Sequence, residues 1–310
     1  MTELRQLGWP AILINLPRHL AELCADALEH GFEAEFCREL IARRQLAPPD
    51  RRPAEWPWPL RIHVLGAFRL ERDGAPLDLG VKPPTRSLDL LRRLAIANGQ
   101  TISLDDVYES LWPDADGDQA KAACEQALHR LRRLLGPVDV VSQREGKLRL
   151  LRDRVWVDLD AWQIERDRAL RMHPSEAALD DLDRIFWRFP GPLFQGVSEK
   201  AWSLPASERV RSELVDLATQ LGRHWDARGA HGKARTFYAR ALEFYPTSER
   251  CYEALLRSRL AQSDIAGALE DYHRCERVLL MTRHSGPSLA LRAIIAPHLP
   301  GPGNARVSDM

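Results

Sequence analysis

Asp118-Gln119-Ala120-Lys121-Ala122-Ala123-Cys124-Glu125-Gln126-Ala127-Leu128-His129-Arg130-Leu131-Arg132-Arg133-Leu134-Leu135-Gly136-Pro137 has two chemically distinct faces. Ala123, Cys124, Ala127, Leu128, Leu131, Leu134 and Leu135 recur at helical spacing and form one apolar stripe. Lys121, Ala122, Glu125, Gln126, His129, Arg130 and Arg133 fall on the opposite side. Gly136-Pro137 ends the helix. An apolar back and a front of hydrogen-bonding side chains suit a helix that enters the major groove. There Gln pairs with adenine N6/N7, Arg with guanine O6/N7, and Glu accepts from cytosine N4. Arg132 and Arg133, near the end, are placed to hold phosphates. The plainer reading is that late basic residues only complement the helix dipole on a solvated face.

The flanks narrow the choice. Upstream, Ser103 with Asp106 three residues on makes a helix-capping pattern. That helix runs to Trp112, where Pro113 stops it, and Asp114-Ala115-Asp116-Gly117 forms a polar loop. Before it, Thr85 to Ala97 carries Leu88, Leu91 and Ala95 on one stripe and closes at Asn98-Gly99. Earlier still the period changes to two. Leu60–Gly66 and Phe68–Arg72 read as strands, Asp73-Gly74 as a tight turn, and Ala75–Leu79 as a short third strand. Downstream, Val138–Ser142 and Leu148–Leu151 flank Gln143-Arg144-Glu145-Gly146-Lys147, a hairpin with glycine at its tip. A small antiparallel sheet, three helices and a closing hairpin make a winged helix-turn-helix over 60–157.

The formal net charge of the 310-residue chain is zero, so a nucleic-acid partner must be argued locally. Ser103 to Asp118 is purely acidic, with Asp105, Asp106, Glu109, Asp114, Asp116 and Asp118. His129 to Arg149 is mainly basic: Arg130, Arg132, Arg133, Arg144, Lys147 and Arg149 stand against Asp139 and Glu145. The charges are therefore separated within one small domain, and phosphates would face the helix end and the hairpin.

Outside this domain, residues 1–47 carry two candidate helices, Ala11–Leu28 and Phe32–Gln45. Residues 48–59, with Pro48-Pro49 and Trp56-Pro57-Trp58-Pro59, read as an extended linker. Everything from Asp158 to 298 reads as helix, and 299–310 as a disordered tail. Leu221, Ala234 and Tyr238 recur at a spacing of 34 residues as Leu255, Ala268 and Tyr272. Leu221-Gly222, Trp225, Ala234, Tyr238, Ala241 and Pro246 fit the tetratricopeptide pattern, while the second unit is degenerate. Asp158–Arg188 and Ser198–Arg211 are expected to pack beside these units as extra helices, with Trp156, Trp162, Trp187, Trp202 and Trp225 in the core. The fold class is mainly α: a winged helix-turn-helix with a small antiparallel sheet, a tetratricopeptide-like helical domain and a short N-terminal helical segment.

Apolar residues at 45% and charged residues at 28% describe an ordinary globular chain. No run of eighteen apolar residues is present, so no membrane span is expected, and Met1–Pro10 has no secretory pattern. Cys24, Cys37, Cys124, Cys251 and Cys275 are scattered without a C-x-x-C pair, which suits buried thiols in a reducing, cytoplasmic compartment rather than a metal site. Gly229-Ala230-His231-Gly232-Lys233-Ala234 is a poor phosphate loop: position 227 is alanine, and no Ser or Thr follows the lysine. The ten histidines form no H-E-x-x-H motif, and Asp180, Asp181 and Asp183 read as a solvated helix face. No catalysis, cofactor or metal is expected.

His129–Gly136 following Leu111-Trp112-Pro113-Asp114 resembles the C-terminal DNA-binding domain of response regulators of the OmpR/PhoB type. Trp156–Glu276 is similar to the bacterial transcriptional activator domain that follows such a winged helix in antibiotic-regulatory-protein-type activators. Its cues are Phe189-Pro190-Gly191-Pro192-Leu193-Phe194, Tyr245-Pro246, Glu249 to Tyr252, and Ala268 to Cys275.

The resemblance implies a transcription regulator of double-stranded DNA. Base-reading positions fall on Glu125, Gln126, His129 and Arg130, and phosphate or wing contacts on Lys121, Arg132, Arg133, Arg144 and Lys147. It places RNA polymerase contact on the 112–117 loop, with Trp112, Asp114 and Asp116. The helical domain would dimerise, set half-site spacing, bind another regulator or receive a signal. The wing departs from the family, since Arg144-Glu145-Gly146-Lys147 is short and lacks an aromatic. No receiver domain is expected within residues 1–59; residues 1–47 resemble instead the last helices of the helical-repeat sensor that larger relatives place ahead of these domains. A rival reading is a protein-interaction adaptor whose winged helix no longer binds DNA; a third gives the helical domain a metabolite. In the DNA reading Arg130, Arg133 and the wing cations share one face. In the adaptor reading they pair with Asp139, Glu145 or the helical domain.

Overall fold

The computed structural model describes residues 16–80, 82–173 and 175–299, in two compact units. The first contains the chain to Arg171 together with Phe189–Ala206; the second contains Met172–Arg188 and the chain from Ser207. The expected tail beyond 299 and the expected helical start at 11–15 lie outside the described residues.

In the first unit, Pro17 opens α1 (Pro17–Glu29), since a proline at the first helical position gives up no intrahelical bond. Gly31 turns the chain with a φ of 69°, and α2 (Ala34–Arg44) follows, closed by Gln45 in the left-handed region. Leu20, Ala21, Cys24 and Leu28 of α1 meet Cys37, Leu40 and Ile41 of α2, and Trp56, Trp58 and Trp156 complete this core. The stretch 48–59, read from composition as a linker, thus contributes two tryptophans only 3% and 2% exposed. Trp58 Nε1 donates to the Pro53 carbonyl at 2.8 Å, and the Arg52 guanidinium lies 4.9 Å from the Trp58 ring centre. Arg52 also donates to the carbonyls of Arg152 and Val155. Arg51 pairs with Glu22, Asp26 and Glu29, tying the strap to α1.

The strap delivers β1 (Leu60–His63), which pairs antiparallel with β2 (Arg69–Arg72). Asp73 and Gly74 both have positive φ, 51° and 80°, as a two-residue hairpin turn of the primed type requires. The third strand, β3 (Ala75–Pro76), is shorter than the expected Ala75–Leu79, although Leu77 N–H still donates to the Leu70 carbonyl at 2.8 Å. The sheet is not purely antiparallel. Its order is β3-β2-β1-β7, and β7 (Val155–Val157), unforeseen in the sequence, runs parallel to β1.

Three helices follow: α3 (Thr85–Ile96), α4 (Leu104–Leu111) and α5 (Gly117–Leu135). A second sheet, order β4-β6-β5, joins β4 (Ile102–Ser103) to the hairpin of β5 (Val141–Arg144) and β6 (Lys147–Leu150). The hairpin turn is two residues, Glu145 (φ 49°) and Gly146 (φ 70°), not the five-residue segment read from the sequence. Arg144 and Lys147 are paired strand residues facing each other across the ladder.

The expectation of continuous helix after Asp158 does not hold. The helix α6 (Asp158–Arg171) ends in the first unit, α7 (Glu176–Trp187) lies in the second, and 188–200 is irregular. Phe189-Pro190-Gly191-Pro192-Leu193-Phe194 docks on the end of β1: Gly66 N–H donates to the Pro192 carbonyl at 2.8 Å, and Phe194 N–H to the Val64 carbonyl at 2.8 Å. Prolines and glycine forbid a helix here, and the freed backbone groups find strand-like partners instead. Asp158 accepts N–H bonds from Val64, Leu65 and Leu159, so it braces the start of α6 against the end of β1.

The second unit is all helical among the described residues. It contains α8 (Leu204–Ala227), whose first residues fall in the first unit, then α9 (His231–Phe244), α10 (Glu249–Leu260), α11 (Ile265–Arg283) and α12 (Leu289–Ile295). The recurring Leu221, Ala234, Tyr238, Leu255, Ala268 and Tyr272 are all buried. Gly222 makes the α8–α9 approach close: a Cβ there would lie 2.2 Å from the Tyr238 ring. The Gly229–Ala234 segment is the α8–α9 turn, and its Lys233 pairs with Asp183 at 3.2 Å and sits 3.7 Å from the Trp225 ring centre. Trp187 departs from the core expectation, being 45% exposed, because it lies at the α7 terminus.

Candidate nucleic-acid interface

Two short caps set the helix-turn-helix. Ser103 Oγ accepts from Asp106 N–H at 3.0 Å and starts α4. Trp112 closes it, half-buried, donating its N–H to the Tyr108 carbonyl at 2.8 Å. Asp116 then caps α5: its Oδ1 accepts from Gln119 N–H at 2.8 Å, so the helix begins at Gly117. Asp116, read as a polymerase contact, therefore has a structural use for one carboxylate oxygen, while Asp114 is exposed without such a bond among the described residues.

α5 buries Ala120, Cys124, Ala127, Leu128, Leu131 and Leu135, and packs on α3 and α4. Ala123 and Leu134, assigned to the same stripe from the sequence, are half-buried at its edges. Burial, and then the charge of Glu125, pushes the Cys124 thiol up to about 11, so it remains a neutral apolar group. Lys121, Glu125, Gln126, His129, Arg130 and Arg133 are all exposed. Positions 122, 125, 126, 129, 130 and 133 follow one another at helical spacing, which aligns them as one strip along the helix. Arg132 is also exposed but turned toward the hairpin, where its Nη2 reaches the Val141 carbonyl at 3.5 Å.

On the wing, Leu148 and Leu150 point inward while Lys147 and Arg149 point out, the alternation of a half-buried strand. Arg144 and Lys147 flank the exposed Glu145-Gly146 tip. Arg149 was counted in the charge reading without a role; strand alternation places it on the outer face with Lys147. Among the described residues, no carboxylate pairs with Lys121, Arg130, Arg132, Arg133, Arg144, Lys147 or Arg149. Asp139 engages a different residue: its backbone carbonyl accepts from Arg154 at 3.1 Å. No cluster of three or more potential metal-ligating side chains occurs among the described residues, and no described helix is long and apolar enough to cross a membrane.

Residues 157–296 match the family model of the bacterial transcriptional activator domain. Over 254 residues, or 75% of the chain, the sequence is 30% identical to the regulatory protein AfsR of Streptomyces coelicolor, covering 24% of that protein. It is 25% identical over 203 residues to the transcriptional regulator RedD of the same organism, covering 61% of this chain and 57% of RedD. The chain thus spans about a quarter and somewhat over half of these relatives. Among solved structures, Mycobacterium tuberculosis EmbR in complex with a low affinity phosphopeptide is similar in fold, with a TM-score of 0.58 at 20% identity. That similarity covers 77% of this chain and 65% of EmbR.

Proposed function

We propose that the chain is a sequence-specific, double-stranded DNA-binding regulator of transcription with no catalytic activity of its own. One observation carries the reading. The cations of α5 and the hairpin stand exposed with no carboxylate partner among the described residues, although Glu125 and Glu145 are exposed on the same two elements. Arg51 and Arg259, which brace the fold, are by contrast held in ion pairs. The relatives named as regulators support the same class.

In this mechanism α5 lies in the major groove. Glu125, Gln126, His129 and Arg130 read base edges, and Lys121, Arg132, Arg133, Arg144 and Lys147 hold phosphates. Trp112, Asp114 and Asp116 present the acidic face to RNA polymerase, with Asp114 the freer carboxylate. The helical unit pairs two copies or takes an input from another regulator. The adaptor reading loses support because neither Asp139 nor Glu145 pairs with a wing or helix cation.

Selection of bound duplexes from a random pool tests the proposal. An enriched motif is expected, with Arg130→Ala losing about 1–3 kcal/mol and relaxing preference at one base position. Arg133→Ala is expected to weaken all sequences alike and lower the slope of log affinity against log salt by about 1. Failure to enrich any motif, with only weak non-specific binding, overturns it.

A further inference from the structure

The second unit contains a cavity of about 220 Å³ lined by Arg211, Ser212 and Val215 of α8, Thr247 to Arg250 at the start of α10, and Arg283 at the end of α11. Three arginines from three helices line it, although the chain as a whole is neutral. We infer that this cavity binds a small phosphate-bearing anion.

The disposition of the neighbouring acids supports a site rather than a closed ion-pair network. Arg211 pairs with Glu208, and Arg250 with Asp216, but Glu208 and Asp216 are 63% and 55% exposed. The single-contact Arg250–Asp216 pair is of the exposed kind that contributes little, whereas Arg211 is held by Glu208 through both Nε and Nη2 and must leave that pair to reach an anion. Arg283 has no carboxylate partner among the described residues; its Nη2 donates to Thr247 Oγ1 at 3.2 Å. Glu249 is the one acid lining the cavity, and its Oε2 accepts from Ser288 N–H at 2.7 Å.

A phosphate monoester fits this donor set. Its three terminal oxygens match guanidinium forks bidentately, which a lysine cluster would not do. The hydroxyls of Ser212 and Thr247 add neutral donors. The first turn of α10 adds its amide ends: Glu249 and Arg250 N–H have no acceptor among the described residues, and the helix dipole favours an anion there. The volume suits a phosphate with a few carbon atoms attached and is too small for a folded partner or a duplex. Bound anion would bridge α8, α10 and α11, so occupancy would stiffen the packing of these three helices. The inference stands independently of DNA binding.

Isothermal titration calorimetry on the full chain tests it, with inorganic phosphate, glycerol 3-phosphate and chloride as probes. Both phosphates are expected to bind at one site and chloride not to compete at equal ionic strength. Arg250→Ala and Arg283→Ala should each weaken binding at least about tenfold, the effect of one lost charge-assisted contact. Arg130→Ala, on α5, should leave it unchanged. Circular dichroism checks that each variant folds, and Arg283→Lys, which keeps the charge but not the fork, should show an intermediate loss. Absence of phosphate binding at millimolar concentration overturns the inference. So does binding that survives Arg250→Ala and Arg283→Ala in folded protein, or that is lost with Arg130→Ala.

Discussion

Removing the carboxylate of Asp226 should loosen the α8–α9–α10 packing. Three donors from two neighbouring helices converge on it. Tyr238 Oη donates to Oδ2 at 2.8 Å, Ser258 Oγ donates to Oδ1 at 2.6 Å, and His231 Nδ1 lies 2.8 Å from Oδ1. Tyr238 and Ser258 are 0% and 2% exposed. Burial, and next the bond to Asp226, holds the Tyr238 phenol far above its ordinary range, so it acts only as a donor at any working pH.

Asp226→Ala strands two buried hydroxyls, each costing about 1–3 kcal/mol when unsatisfied. The Asp226 side chain is 21% exposed, so water can reach part of the vacated space and the lower half of that range applies. The expected total is about 2–4 kcal/mol. Asp226→Asn keeps one acceptor oxygen and a donor that the hydroxyls can turn to accept, so about half the loss is expected. Differential scanning calorimetry of the full chain reads the transition of the helical unit, about 4 °C per kcal/mol for a unit of this size. Tyr238→Phe, alone and combined with Asp226→Ala, closes a double-mutant cycle, in which the combined loss should fall short of the sum. A shift within about 0.5 kcal/mol for Asp226→Ala, or strict additivity with Tyr238→Phe, refutes the network account.

Gly222→Ala should destabilise the same unit by about 1–3 kcal/mol, because the new methyl meets a Tyr238 ring pinned by Asp226; an unchanged transition temperature would contradict the close approach. All five cysteines are buried and free. Burial pushes Cys24 and Cys275 up to about 12 and Cys251 to about 11, so a thiol reagent at pH 8 should label the native chain slowly and all five groups after denaturation. Rapid native labelling would place a thiol at the surface. Burial raises Asp158 to about 7, above its unfolded value near 3.8, so the fold favours its protonated form and stability should decline as pH rises from about 4 to 7. His63, lowered by burial, works in the opposite sense as pH falls below about 6.5. The readout is therefore the difference between wild type and Asp158→Asn across this window, and parallel curves would contradict the assignment.

The candidate interface was legible to the extent that its determinants are contiguous. The stripe of α5, the Ser103 cap, the Asp73-Gly74 turn and the Gly136 stop each lie within a few residues of the structure they specify, and the helices follow from them. The hairpin tip was less legible. Positive φ at Glu145 requires a non-glycine residue in an unfavourable region, so the sequence pointed to a longer turn. The cap made by Asp116 was obscured for a related reason: an aspartate in an acidic loop carries the same letters whether it faces a partner or its own helix.

The sequence by itself determined the local elements: the helix periods, the caps and turns, the 34-residue recurrence and the separation of acidic from basic segments. Tertiary structure alone decided three other matters. Val155-Trp156-Val157 became a strand because β1, more than ninety residues earlier, offered a parallel edge. The proline-rich strap became core because α1 and α2 supplied walls for Trp56 and Trp58. Phe189–Phe194 left the helical domain's pattern because the end of β1 had unpaired backbone groups to satisfy. Caps and periods depend on neighbours along the chain, which any window of sequence contains. Strand edges, tryptophan pockets and orphan amides depend on partners that only folding brings within hydrogen-bonding distance.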